Sequence, residues 1–489
     1  MNIPRFRLQP RPETPLQWSM LLITVVVGVY LLGDLLTVIP RRSLIAGKMV
    51  FIFLILVTAC LFSIPVLQQL RFEDRFDIFA PPIVVFGFLS VPYLLRPLQM
   101  ALSGDYGLIY PRFSFGAATV LGYGCRVLLY VDVGLAFFML GYYSSRGERL
   151  AASVPAPHAK WDTSRMWSVI TLFSLLSIFT VETVVYLTTG SFVEFLQQWK
   201  NRVSMLAGYH LFVFLSRAAA LGSMAILLHY RSLRPVTVAH LLGATLLVLV
   251  FGRRAFALTL VVMFLIVYHY SIDRIKAHRV LSLGVAVFWT ASTIRYVRQN
   301  GTNDLVTHLL SLPTEFLTLL VDDIGRAFDN FLILLWGISE QWSYQFGTTY
   351  LRVPLNFIPR ALWPGKPALT VGAEFAARFF PGRPGGVPLG PFALQYLNFH
   401  LFGIVVGLFL TGIAYRTLYA YLRQNNYSSG VVLLYAVTIV TFRNGLNNTS
   451  LVTWIVTMCM ALALLFLLGE YDPRLMASRL VGSGNDSQA

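Results

Sequence analysis

An all-α, polytopic membrane protein is the fold class this sequence predicts, and three observations predict it. Hydrophobic residues make up 56% of the 489 positions and charged residues only 12%, where a soluble domain carries about 25% charged residues. Runs of about twenty apolar residues, the length a helix needs to cross the hydrocarbon core, recur from end to end. The cations stand singly or in pairs at the ends of these runs, where basic residues set topology. The net charge of +16 therefore does not point to nucleic acid.

Residues 1–17 hold Arg5, Arg7 and Arg11 among prolines, as a cytoplasmic tail would. The first apolar run is long and lacks a small-residue cleavage site, so it reads as an anchor rather than a signal peptide. About twelve spans are expected. Nine of them fall between residues 18 and 294, at 18–39, 47–67, 78–95, 117–142, 166–188, 209–228, 237–251, 255–270 and 280–294. A long Arg-rich segment, 295–398, follows and should carry short amphipathic helices. Three spans then lie within 399–470, at 401–422, 431–442 and 451–468, before a polar tail, 471–489. Inside the long segment, 331–337 is apolar but flanked by Asp322, Asp323, Asp329 and Glu340. Those charges favour an amphipathic or re-entrant helix over a further span. Cys60, Cys125 and Cys459 all lie in apolar runs, so neither a disulfide framework nor a cysteine metal site is expected.

Basic residues in the short loops place both termini in the cytoplasm. Arg146, Arg149, Lys160, Arg165, Arg231, Arg234, Arg274, Lys276 and Arg279 then fall inside, while Arg41, Arg42 and Lys48 run against the rule. The segment 295–398 becomes an outer loop with eight cations, Arg295, Arg298, Arg326, Arg352, Arg360, Lys366, Arg378 and Arg383. Long loops translocate regardless of charge, so these cations call for a ligand rather than a different topology.

Charges within spans are costly and usually face a cavity or a partner. Asp34, Arg126, Asp132, Glu182 and Arg217, with the Arg253-Arg254 turn, read together as a polar cavity opening outward beneath the cationic loop. Structural ion pairs, such as Glu182 with Arg217, are the competing reading. Gly122 and Gly124 read most simply as helix packing. Between residues 354 and 367 four prolines forbid a helix and hold Arg360, Trp363 and Lys366 on rigid backbone. Such a segment suits an anionic ligand that carries rings, because arginine binds phosphate oxygens bidentately and keeps its proton. No Walker-type glycine loop, His-Glu-x-x-His or Asp-x-Asp motif occurs, and adjacent Asp322 and Asp323 diverge on a helix. His400, where the loop re-enters the membrane after Asn398, and Glu374 are the candidate general bases. His210, His240 and His269 read as structural.

The run 358–367, Ile-Pro-Arg-Ala-Leu-Trp-Pro-Gly-Lys-Pro, resembles a signature of the bacterial oligosaccharide repeat-unit polymerases, the O-antigen (Wzy-type) polymerase family. Asn398-Phe399, followed by Gly403, Gly407 and Gly412, resembles that family's re-entering helix, and Gly252-Arg253-Arg254 its Gly-Arg turn. The resemblance is specific over about 347–412. His400 stands where the family usually has glycine, and Leu394 near a position often acidic. The resemblance implies a fold of about a dozen spans in the bacterial inner membrane. It also implies transfer of a glycan from undecaprenyl diphosphate to the sugar end of a second lipid-linked repeat. On that basis Arg360, Lys366, Arg253 and Arg254, with Arg217 and Arg352 as further cations, would hold the diphosphate. Trp363 would stack on sugar, Asn398 would bind substrate, and His400 or Glu374 would be the base. No cofactor is expected and cations would replace a divalent metal, so activity should survive EDTA. A chain-length regulator protein is a partner to test for. A transporter or flippase of lipid-linked glycan would share the cavity and cations but should show paired broken helices. An O-antigen ligase-like transferase would differ in its acceptor.

Overall fold

The computed structural model describes residues 15–72, 76–110, 112–155, 161, 163–198, 205–206, 208–252, 254–300, 305–338, 340–358, 363, 365, 370–383, 385–443 and 445–469. Among these residues the architecture is helical, with no β-strand. The first helices are α1 (Pro15–Arg42), α2 (Leu44–Phe72) and α3 (Pro81–Ser90), the last running through a π-helical turn, Val91–Leu95, into α4 (Arg96–Ser103). Next come α5 (Ala117–Tyr142), α6 (Arg146–Ser153), α7 (Thr163–Thr189) and α8 (Phe192–Gln197). The middle of the chain forms α9 (His210–Leu215), α10 (Ala218–Tyr230), α11 (Pro235–Leu249), α12 (Arg254–Ser271), α13 (Ala277–Asn300) and α14 (Leu305–Ile324). The remainder forms α15 (Arg326–Gly337), α16 (Thr348–Leu351), α17 (Val371–Phe379), α18 (Gly390–Gln424), α19 (Ser429–Phe442) and α20 (Asn448–Leu467).

Among the described residues, eight helical stretches are long and apolar enough to cross a membrane: Met20–Arg42, Leu44–Phe72, Pro81–Ser103, Ala117–Tyr142, Ser164–Thr189, Leu211–Tyr230, Gly390–Gln424 and Asn448–Leu467. The chain is an all-α polytopic membrane protein. Three of the expected spans correspond to shorter apolar helices, Pro235–Leu249, Phe256–Ser271 and Ser429–Phe442. The expected span at 280–294 lies within α13, which is not among the eight. Apolar side chains such as Leu31, Ile45 and Phe53 point outward from α1 and α2, as lipid-facing residues do.

α5 and α18 form the centre. Gly141 and Gly412 lie against the backbone of Phe409 and Phe138 respectively, so a β-carbon at either would strike main chain. Close approach through small residues is how membrane helices gain packing when lipid removes the hydrophobic drive. Gly122 likewise faces the backbone of Thr37, in keeping with a packing role.

The segment expected to remain a loop up to Asn398 does not. α18 is broken at Phe399 and His400, whose backbones leave helical geometry at φ −140°, ψ 24° and φ 56°, ψ −152°. Gly403 packs on the carbonyl of Gln395 and Gly407 on its side chain. Residues eight and twelve apart in a straight helix would be about 12 and 18 Å apart along its axis. The arm 390–398 therefore doubles back along 401–412, an arrangement that also sets Phe392 and Ile404 together against Gly134. This is a helical hairpin with His400 at its tip. Irregular backbone at membrane depth is tolerated only inside protein, and Phe392, Leu397 and Asn398 are indeed fully buried. The apolar run near 331–337 belongs to α15, too short to span, with Phe328, Phe331 and Leu334 inaccessible. A re-entrant or amphipathic helix was the expectation there; the helix is a core element.

Candidate functional site

The tip of the hairpin gathers residues from four parts of the chain. His400 Nε2 lies 3.1 Å from the Tyr396 hydroxyl, which in turn accepts from the Tyr344 hydroxyl at 3.2 Å. The imidazole packs between the rings of Tyr396, Tyr344 and Tyr30, with centroids 4.7, 5.3 and 5.3 Å away. Burial pushes the Tyr344 phenol above its usual range, so its proton stays on to donate. Beside this cage the Arg126 guanidinium lies over Tyr30 and Tyr130, donates from Nε to the Tyr130 hydroxyl at 2.8 Å, and pairs with Asp34 at 2.9 Å.

Asn398 ties the hairpin to the loop in front of it. Its Oδ1 accepts from the Thr349 hydroxyl at 2.8 Å and the Gly347 amide at 3.2 Å, and Gln345 N donates to the Leu397 carbonyl at 2.9 Å. From Gln345 a polar chain runs on. Arg352 donates to Gln345 Oε1 at 3.3 Å and to Glu374 Oε2 at 2.6 Å, and Arg378 donates to Glu374 Oε1 at 3.3 Å.

The structure thus brings His400, Asn398, Arg352 and Glu374 into one connected region. Both carboxylate oxygens of Glu374 accept from arginines, which ties this candidate base to Arg352 and Arg378. Trp363 is exposed at 40%. Arg217 lies elsewhere, in the break between α9 and α10, with its guanidinium 3.8 Å from the Phe256 ring centroid. Arg253, Arg360 and Lys366 lie outside the described residues, as does the side chain of Arg254. Among the described residues, the intramembrane charges fall in separate places. Asp34 pairs with Arg126 and Asp132 accepts from Thr58 at 2.7 Å. Glu182 lines a separate, mostly hydrocarbon cleft of about 670 Å³ between α7 and α11.

The tyrosines around His400 escaped the sequence reading. Their signal was spacing four apart on a helix, which places side chains together: Tyr30 and Asp34, Arg126 and Tyr130, Tyr396 and His400.

His400 also carries strain. A non-glycine residue at φ 56°, ψ −152° occupies backbone space that is close to glycine-only and costs about 1–3 kcal/mol. Strain of this kind persists only where surrounding structure holds it, and it clusters at functional sites.

The far end of α18 is built differently. Tyr419, about 28 Å along the helix from His400, donates to Asp77 at 2.9 Å, and Tyr270 donates to both oxygens of the same carboxylate. His269 Nε2 stands 3.3 Å away, within ion-pair reach. Burial by itself would raise the Asp77 carboxyl, but His269, Tyr270 and Tyr419 together hold it below its ordinary value. This knot clamps the loop before α3 to α12 and α18.

No protein-family model matches this chain, and neither a curated protein nor a solved structure matches it significantly.

Proposed function

We propose that the chain joins undecaprenyl-diphosphate-linked oligosaccharide repeat units into a surface polysaccharide, by metal-independent glycosyl transfer at the outer face of the bacterial inner membrane. The observation that carries this reading is His400 at the tip of the helical hairpin, strained into a glycine backbone conformation within an Asn-Phe-x element, after the Pro-Arg-x-x-Trp-Pro-x-Lys-Pro run.

The residues suit the reaction. In the tautomer with hydrogen on Nε2, His400 donates to Tyr396, and Nδ1 keeps a lone pair to take the proton of an acceptor hydroxyl. The acceptor oxygen bonds to the donor's anomeric carbon as the bond from that carbon to the diphosphate oxygen breaks. The electron pair leaves with undecaprenyl diphosphate. Arg360 and Lys366, with Arg352 supporting, would meet the charge that develops there. Tyr396, Tyr344 and Tyr30 hold the imidazole in place.

The test is the glycan profile of a host carrying Arg360→Ala or His400→Gln, with protein level checked in the membrane. Loss of the polymer ladder with accumulation of single-repeat lipid-linked glycan supports the proposal. Loss of a general base should cost about a hundred- to ten-thousand-fold in rate. An unchanged ladder at normal expression rejects it and favours a transporter. Full-length polymer left on its lipid favours a ligase.

A further inference from the structure

A second cationic and aromatic site lies beside the one described. The loop between α4 and α5 and the end of α15 enclose a cleft of about 720 Å³, lined by Arg112, Phe113, Phe115, Trp336, Gln341 and Arg378. Its position is set by a buried ion pair. Arg96 donates through Nε and Nη2 to the Asp329 carboxylate at 3.1 and 3.2 Å, and Asp329 also accepts from the Ile109 amide at 2.7 Å. Arg96, at the start of α4, reaches the Gly107 carbonyl as well, so α4 and α15 together hold this loop.

The rings form a continuous wall. Phe115 lies 5.0 Å from Trp336, Phe113 5.6 Å from Phe115 and 5.3 Å from Phe380, and Tyr110 4.7 Å from Phe380. Two cations line the cleft: Arg112, which is exposed, and Arg378, which also donates to the Gln341 carbonyl at 3.2 Å. Arg383 lies over Tyr110 and Phe380, which continue the wall beyond the lining. Among the described residues that line the cleft there is no carboxylate. Glu374 engages Arg378 from outside it, through one carboxylate oxygen.

Flat aromatic faces receive the C–H face of a sugar ring, and exposed guanidinium forks bind a carboxylate bidentately. We propose that this cleft is a subsite for an acidic sugar residue, of the uronate class, in the glycan the protein handles. It rests on the reading of the chain as a glycan enzyme. Through Arg378, Glu374, Arg352 and Gln345 the cleft is linked to the loop in front of His400. A bound acidic residue would place the rest of its chain towards that site.

The experiment is calorimetric titration of the purified full-length chain in phosphatidylcholine nanodiscs with three probes. These are a galacturonic acid trisaccharide, a neutral galactose trisaccharide and glycerol phosphate. The uronate should bind at least about tenfold more tightly than either other probe. Arg112→Gln should weaken it by about tenfold or more, and Arg112→Lys should also weaken it, because lysine keeps the charge but lacks the bidentate fork. Arg112 is exposed in a loop, and elution as a single species checks its variants' folding. Equal binding of the neutral trisaccharide overturns the proposal, as does an unaffected Arg112→Gln. Equal binding of glycerol phosphate also overturns it, making the cleft a lipid-headgroup phosphate site. The two readings fail separately. An intact ladder in Arg360→Ala with uronate binding retained removes the polymerase and keeps the sugar subsite. A lost ladder without uronate binding does the reverse.

Discussion

Replacing His400 by glycine and by alanine separates backbone strain from chemistry. Both changes remove the imidazole and its contacts with Tyr396, Tyr344 and Tyr30, so those losses cancel between the two variants. What remains is the conformation at φ 56°, ψ −152°. Alanine keeps a strain of about 1–3 kcal/mol there, whereas glycine adopts it freely but loses about 0.5–1 kcal/mol more chain entropy on folding. His400→Gly should therefore be the more stable of the pair, by up to about 2.5 kcal/mol. In an unbroken helix the order is opposite, with alanine favoured by about 1 kcal/mol. Unfolding of both variants in mixed detergent micelles reads the difference, and the glycan ladder reads activity. Both variants should lose the ladder. An alanine variant more stable than the glycine variant would refute the hairpin tip, and a normal ladder in either would refute the base.

Other consequences follow from the same geometry. Asp329→Asn leaves Arg96 buried and unpaired and should destabilise the protein by about 3–5 kcal/mol, read as a large drop in melting temperature. An unchanged melting temperature would mean the pair does not hold the loop to α15. Glu374→Gln should lower activity far less than His400→Gln, because it loosens Arg352 and Arg378 without removing the base; equal losses would place Glu374 in the chemistry. Asp77 titrates below its ordinary value in the folded chain, so its stabilisation is complete above the unfolded value near 3.8 and is lost as pH falls through the lower folded value. An acid melting series should show that loss below about pH 4, and Asp77→Asn should flatten it. An identical acid profile in the variant would exclude the carboxylate as its source.

The helical membrane class was legible in the sequence because hydrophobic transfer is a local property. A run of apolar residues long enough to span reports itself without reference to any partner. The position of His400 beside Asn398 was legible for the same reason. Of the proline-rich segment 354–367, where no helix was expected, residues 359–362, 364, 366 and 367 lie outside the described residues, and its start, Pro354–Phe357, forms a short 3-10 turn. Span number was less legible. α11, α12 and α19 are apolar but short, and the apolar residues of α15 face protein, which hydropathy cannot distinguish from lipid. Partnership was not legible at all. That Asp329 pairs with Arg96, 233 positions away, and Asp34 with Arg126 depends on which helices lie side by side. Glu374 looked like a free carboxylate and became a clamp once α17 packed near Arg352. Composition and pattern alone determined that the chain is a bundle of apolar helices carrying a cationic, proline-rich segment. Only the tertiary structure decided that 390–398 folds back on 401–412, because a reversal at two residues is stabilised by distant side chains rather than by its own sequence.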